Sequence, residues 1–445
     1  MSVTSLPAAL PNAKTGNESG PHLAFGAAST TRLQTSLPRA HPARIAVIGN
    51  HLPRQCGIAT FTTDLCDAIA AEYGNAGVSV VAINDSPSGY KYPARVCQQI
   101  HQDDPASYLA AAEYLNSCNV DVVSLQHEYG IFGGWAGGHI LQLLRRLTMP
   151  VVTTLHTVLR QPDATQQIVM REIVERSDRL IVMSEHSRDL LQNVFGVSRE
   201  KIDVIPHGIP DLPFAAPDAY KQMFAINGRT VMLTFGLLSP NKGFETVIRA
   251  LPEILSRHSN AVYVIAGATH PHVKLREGDR YRMQLQDLAR DQGVEDAVIF
   301  FNRFFSPLEM ATLVGSADIY VTPYCHQAQA VSGTLAYALG AGKAIISTPY
   351  WHAAELLGDG RGALVPFEDS GAIAAKTIEL LGNSSARQAM RERAYRHGRS
   401  MVWNRVAQSY MQSFGQAITP RVVPVRMGFP AQPSKQIMAR RVASA

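Results

Sequence analysis

Short runs that are apolar at nearly every position recur along this chain, separated by longer stretches in which apolar residues return every three or four places. In the first half the runs fall at 44–49, 78–83, 121–125, 150–155 and 179–183. Runs apolar on both faces and spaced by helix-length segments predict parallel strands covered by helices. After a stretch carrying Pro210, Pro213 and Pro217 the alternation starts again, with runs at 230–236, 261–267, 297–301, 319–322 and 344–347. The pattern predicts an α/β protein with two Rossmann-like domains in tandem. A last stretch, from Trp403 to Phe414, spaces its apolar groups as one amphipathic helix.

The expected organisation is a disordered leader over 1–43, rich in Ala, Pro, Ser, Thr and Gly, then a first domain over 44–210 and a linker over 211–228. A second domain over 229–400, a terminal helix over 401–416 and a basic, disordered tail over 417–445 complete it.

Composition narrows the class. A chain of 445 residues exceeds what one core usually organises, and 46% apolar with 17% charged residues suits a globular enzyme. The five cysteines (Cys56, Cys66, Cys97, Cys118, Cys325) are scattered and form no C-x-x-C pair, against a disulfide framework or structural zinc. No apolar run reaches membrane-span length and no signal-peptide pattern opens the chain, so a cytoplasmic protein is expected. The net charge of +5 equals the five basic residues of the tail (Arg421, Arg426, Lys435, Arg440, Arg441), which has no acidic ones. The body is thus near neutral, and nucleic acid is not an expected partner. A basic tail of this kind reads as solvated, with peripheral contact to an anionic membrane face or a biosynthetic complex as the sharper alternative.

In open parallel sheets ligands bind beyond the carboxyl ends of the strands. After the first run comes 50–61, in which Gly57 opens a helix: it lets backbone approach a ligand at an anion-favouring helix terminus, or it is a plain turn. Gly133, Gly134, Gly137 and Gly138 form a glycine-rich loop without dinucleotide or P-loop spacing. In the second half, Gly236 ends a strand and Lys242 follows at the start of a helix, where a cation can neutralise phosphate. Further on, Gln329 to Leu335 is expected to open a helix with Ser332, Gly333 and Thr334, whose free N–H groups could cradle a diphosphate or serve as an ordinary N-cap. Gln329 and Tyr337, eight residues apart, would then lie on nearly one face of that helix.

The order of G-x-x-S-P-x-K-G (236–243), A-D-I-Y-V-x-P (317–323) and G-x-G-K-A-I-I-S-T (340–348) resembles the large family 4 of retaining GT-B glycosyltransferases. The segments around His156, Ser184 and His207 match that family's landmarks in the same order, so the resemblance runs from about Arg44 to Phe414. It implies two Rossmann-like domains with parallel sheets facing across a cleft, and a last helix that crosses back onto the first domain. It further implies that Gly57 approaches the donor phosphates, His156 contacts the transferred sugar and Lys242 binds the diphosphate. Retention of anomeric configuration and independence of any metal or resident cofactor are implied as well; the nucleotide sugar is itself a substrate, and no D-x-D motif occurs.

Three positions depart from the family pattern. Leu237 stands where arginine is usual, and Gln329 and Tyr337 stand where two glutamates are usual, which marks a variant subgroup. An amide can still bond a sugar hydroxyl, but a phenol lacks the paired acceptors that a carboxylate offers a ribose diol. Arg303, after a strand of the second domain, is the candidate replacement cation, or a surface arginine. Glu128 follows a strand of the first domain: it binds acceptor hydroxyls or steadies charge developing on the sugar, or it caps the glycine loop. His207 is expected at the interdomain hinge, with Glu185 at a similar strand end. The functional expectation is transfer of a hexose to a saccharide, lipid-linked or small-molecule hydroxyl. The rivals are a GT-B epimerase or phosphorylase, and a non-catalytic sugar-nucleotide-binding partner protein.

Overall fold

The structure is a computed structural model that describes residues 41–74 and 77–419. The leader up to residue 40 and the tail from residue 420 lie outside the described residues. Thirteen strands are described: β1 (Ile45–Gly49), β2 (Val78–Asn84), β3 (Val96–His101), β4 (Val122–His127), β5 (Val151–Leu155), β6 (Arg179–Val182), β7 (Ile202–Val204), β8 (Thr230–Phe235), β9 (Ala261–Ala266), β10 (Val298–Phe301), β11 (Ile319–Thr322), β12 (Ala344–Ser347) and β13 (Ala363–Leu364). They form two sheets, ordered β3-β2-β1-β4-β5-β6-β7 and β10-β9-β8-β11-β12-β13, and the paired neighbours are parallel.

The ten expected runs coincide with the inner strands and β10. They are legible because parallel strands covered on both faces must be apolar throughout: β1, β4, β5, β8 and β9 are buried along almost their whole length. The strands that the pattern does not reveal are β3, β7 and β13, all at or beside a sheet edge. β3 reads Val-Cys-Gln-Gln-Ile-His and is only half-buried, so polar residues are tolerated.

Both sheets begin at their middle strand, run outward to one side, and then restart on the other. The connections therefore diverge at β1/β4 in the first half and at β8/β11 in the second, and a crevice opens there beyond the carboxyl ends of the strands.

Residues 211–228 are not a free linker. Asp218–Lys221 is a short helix followed by a 3-10 turn at Gln222–Phe224. Its buried Lys221 ammonium pairs with Asp318 at 2.9 Å and donates to the Arg229 carbonyl at 2.8 Å, so the stretch packs as part of the second half. The two chain crossings between halves lie side by side: Ile209 N–H donates to the Met401 carbonyl (2.9 Å) and Trp403 N–H to the Ile209 carbonyl (3.0 Å). The terminal helix, Trp403–Ile418, then lies on the first half, where Val406, Tyr410, Met411 and Phe414 join the core of Val47, Phe61 and Leu65. Tyr410 also shares a hydrogen bond with Thr154 of β5 (3.0 Å). Among the described residues no helix is long and apolar enough to cross a membrane.

Candidate active site between the two halves

The two switch points face one another across a cleft of about 590 Å³, within the range of small-molecule sites. Gly57, Glu128, His156 and His207 line it from the first half. Gly236, Lys242, Arg303, Gln329, Gly333, Thr334 and Tyr337 line it from the second. Of the expected site residues only Ser332 is not on this wall.

On the second half, β8 ends in Gly236 (φ +137°) beside Gly267 (φ +141°) at the end of β9. A Cβ on Gly267 would lie 1.9 Å from the Gly236 carbonyl, so the two backbones touch and leave a bare peptide surface toward the cleft. Lys242 closes a 3-10 turn at Pro240–Lys242, and the helix Phe244–Arg257 begins only after Gly243. Its ammonium lies 3.8 Å above the ring of Tyr324, which follows β11. Burial opposes ionisation of that phenol, but the Lys242 charge and hydrogen bonds with Ser332 and Thr334 outweigh it and hold Tyr324 below its ordinary value.

The helix expected from Gln329 starts later. Ser332 is its N-cap: the backbone is extended there, the hydroxyl accepts from Leu335 N–H at 3.3 Å, and Ser332 N–H donates to His352 Nδ1 at 3.0 Å. Ser332 thus terminates the helix rather than facing a ligand, and Gly333 is its first residue. Gln329 precedes the helix, so it and Tyr337 do not share a helical face; its amide donates to the Val331 carbonyl of its own segment at 2.7 Å. A Cβ on Gly333 would lie 2.7 Å from His207 Nε2.

In the first half the helix Gly57–Tyr73 opens on Cys56, whose sulfur accepts from Ala59 N–H (3.3 Å) and Asn50 Nδ2 (3.1 Å). A Cβ added to Gly57 would meet open space. One turn on, Phe61 is ringed by His156, His207 and Trp403 at 4.9, 5.1 and 5.2 Å between centroids. His156 Nε2–H donates to Gln126 Oε1 at 3.0 Å, which leaves Nδ1 with its lone pair. His207 donates from Nδ1 to the Gly208 carbonyl at 2.7 Å, beside the chain crossing, so Nε2 carries the lone pair toward Gly333. Burial lowers both imidazoles, His156 to about 3 and His207 to about 4, and both are neutral near pH 7.

Glu128 is committed to its own loop while still lining the cleft. Its carboxylate accepts from Tyr129 N–H at 3.0 Å and from the Thr157 hydroxyl. Burial nevertheless pushes it above the usual carboxylate range. Arg303 does not supply an unengaged cation: it is half-exposed, ion-paired with Glu309 at 2.8 Å and stacked over Phe305 at 4.2 Å. The cation that reaches the cleft from beside the second switch point is Lys242.

Several contributors are not evident in the sequence. Arg54 is buried on the first-half wall, donating to Asn50 Oδ1 (3.0 Å) and the Ile83 carbonyl (2.9 Å) and paired with Asp85 at 3.3 Å. Glu355 of the second half accepts from Glu185 N–H (2.8 Å) and His186 N–H (3.1 Å), capping the amino terminus of the helix Glu185–Phe195 across the junction. Asp64, also of the first half, accepts the Tyr337 hydroxyl at 3.0 Å. Asp64 lies seven residues after Gly57 and three after Phe61, a spacing that places all three on one helical face; that was the available signal.

Residues 218–397 match the family model for glycosyl transferases group 1, and residues 56–211 match that for glycosyltransferase family 4. The chain is 25% identical over 317 residues to a D-inositol 3-phosphate glycosyltransferase of Kineococcus radiotolerans, covering 64% of this chain and 71% of that one. It is 27% identical over 286 residues to a phosphatidyl-myo-inositol mannosyltransferase of Mycolicibacterium smegmatis, covering 61% and 68%. Among solved structures, Anabaena HepE in complex with UDP-glucose superimposes with a TM-score of 0.63 at 16% identity, over 83% of this chain and 98% of that one, a likeness of fold.

Proposed function

The chain belongs to the GT-B glycosyltransferases of group 1, and on that premise we propose that it moves a hexose from a nucleoside diphosphate sugar of the GDP-mannose or UDP-glucose kind to a hydroxyl of a saccharide, lipid-linked or small-molecule acceptor. One observation carries this reading: a bare glycine turn (Gly236), an ammonium (Lys242) and a helix amino terminus (Gly333) converge on the wall of a single cleft. That combination suits a diphosphate, which takes N–H donors and a cation at close range. The mannosyltransferase among the relatives and the UDP-glucose held by HepE support a hexosyl donor.

In this reading Lys242 and the Gly333 terminus stabilise the diphosphate as it departs, and Gly57 gives the donor close approach to the first half. His156, neutral and fixed by Gln126, offers its Nδ1 lone pair to a hydroxyl of the transferred sugar. Glu128, held by its loop, adds negative potential beside the reacting carbon. Gln329 meets the sugar and Tyr337 the nucleoside, in place of the usual carboxylates. The C1–O bond to the diphosphate breaks as the acceptor oxygen bonds to C1 on the same face, and the acceptor proton leaves to a donor phosphate oxygen. No protein base, resident cofactor or metal enters this scheme, and catalysis rests on positioning and electrostatics. An acceptor rich in hydroxyls accords with the inositol acceptors in the relatives' names.

The test is nucleoside diphosphate release from a panel of nucleotide sugars, with and without saccharide and inositol acceptors, with product anomers assigned by NMR. Acceptor-stimulated release and a retained anomer are expected. Binding of nucleotide sugars without turnover on any acceptor would turn the reading toward a binding protein.

A further inference from the structure

Tyr337 reaches the cleft with its ring, but its hydroxyl points the other way, across the junction between halves. It donates at 3.0 Å to Oδ2 of Asp64, 273 residues earlier on the helix Gly57–Tyr73. The ring is packed beside Phe235 and His207, at 6.5 and 6.0 Å between centroids. Asp64 is largely buried, and the Trp403 indole of the terminal helix faces it without reaching full hydrogen-bond geometry. The groups acting on the carboxylate are thus Tyr337 from the second half, Trp403 from the terminal helix and Asp67 one turn along its own helix, while the neutral His207 at the chain crossing packs on the Tyr337 ring. Asp67 is itself paired with Arg95, and no cation is in contact with Asp64 among the described residues.

A carboxylate buried without a cation is an expensive way to fill space, since an amide would satisfy the same phenol. The arrangement has a use if the phenol must be held firmly. Tyr337 forms the cleft wall with Gly236, Gly333 and Thr334; across the junction Asp64 anchors its hydroxyl while His207 of the first half packs beside its ring.

We propose that Asp64 is a positioning residue for the donor site: it holds Tyr337 across the junction, so the nucleotide-sugar wall of the second half is complete only when the first half is seated against it. This role rests on the donor reading above. Burial raises the Asp64 carboxyl to about 6. Above that pH the phenol meets an anion, and below it a neutral acid that holds it less firmly.

The experiment is calorimetric titration with UDP-glucose and GDP-mannose at pH 5 to 8, on wild type, D64N, Y337F and the double variant, with circular dichroism to confirm folding. For the nucleotide sugar that binds, wild-type affinity should fall about fivefold as pH drops through 6. D64N should bind about fivefold more weakly than wild type at pH 7.5, without the break near pH 6. The double variant should be no weaker than the weaker single one. A second measurement needs no ligand: in protein labelled with carboxyl-13C aspartate, the signal titrating near 6 should be absent in D64N and move upward in Y337F, which loses the stabilising hydroxyl. Wild-type protein that binds neither nucleotide sugar would overturn the donor reading and this role with it. Binding that D64N leaves unaltered, or additive effects in the double variant, would overturn the role of Asp64 alone.

Discussion

Replacing Asp64 by asparagine should make the protein more stable at neutral pH while weakening its donor site. The carboxyl is raised from 3.8 to about 6, chiefly by burial, with the Tyr337 hydrogen bond opposing. A folded-state value above the unfolded one means that the linked stability is fully present below about pH 3.8 and is lost as pH rises through about 6. At about 1.4 kcal/mol per unit the shift corresponds to about 3 kcal/mol at most, and the partial solvent access of Asp64 reduces this to about 2 kcal/mol. Asparagine keeps an acceptor for Tyr337 and has nothing to ionise. Wild type and D64N should therefore melt together near pH 4 and separate as pH rises, D64N melting about 2–3 °C higher above pH 7. Scanning calorimetry at pH 4, 5.5 and 7.5 reads the difference between the two proteins, which cancels every other titrating group. A gap that is the same at all three pH values, or that favours wild type at pH 7.5, would mean that Asp64 does not ionise at a cost in the folded protein.

Three further outcomes follow from the geometry. Lys242→Ala removes the cleft-facing ammonium and one charge-assisted phosphate contact of about 1.5–3 kcal/mol, so kcat/KM should fall by about 10- to 150-fold with an unchanged circular dichroism spectrum; wild-type kinetics would take Lys242 out of the site. Glu355→Ala leaves the helix Glu185–Phe195 without its cross-junction cap, at about 1 kcal/mol, and should enlarge the unliganded radius of gyration and the compaction on adding nucleotide; unchanged scattering in both states would deny that this cap restrains the halves. Gly333→Ala drives a methyl to 2.7 Å from His207 Nε2, so the helix terminus or the imidazole must shift, and donor affinity should fall at least tenfold by calorimetry, whereas wild-type affinity would mean that the terminus does not meet the donor.

Much of this protein is local and therefore legible from its residues alone. Strands buried on both faces must be apolar throughout, so the inner strands are visible as runs, whereas β3, β7 and β13 escape because an edge accepts polar residues. Lys242, Gly57, Gly236 and Gly333 are legible for a similar reason: each stands just past a strand end or at a helix start, where the backbone itself favours an anion. That Gln329 stands before the helix at Gly333 rather than within it was not, since the segment ahead of the Ser332 cap is tied to residues far along the chain, Ser332 giving its N–H to His352, twenty residues away.

What the tertiary structure alone decided lies at the junction of the two sheets. The Tyr337–Asp64 bond joins residues 273 apart and the Glu355 cap joins residues 170 apart. The pairing of Arg303 with Glu309 in place of a ligand depends on the course of the segment between β10 and the helix Pro307–Ser316. No periodicity records such contacts, since hydrophobic pattern specifies which face of an element is buried but not which element of another domain arrives to cover it.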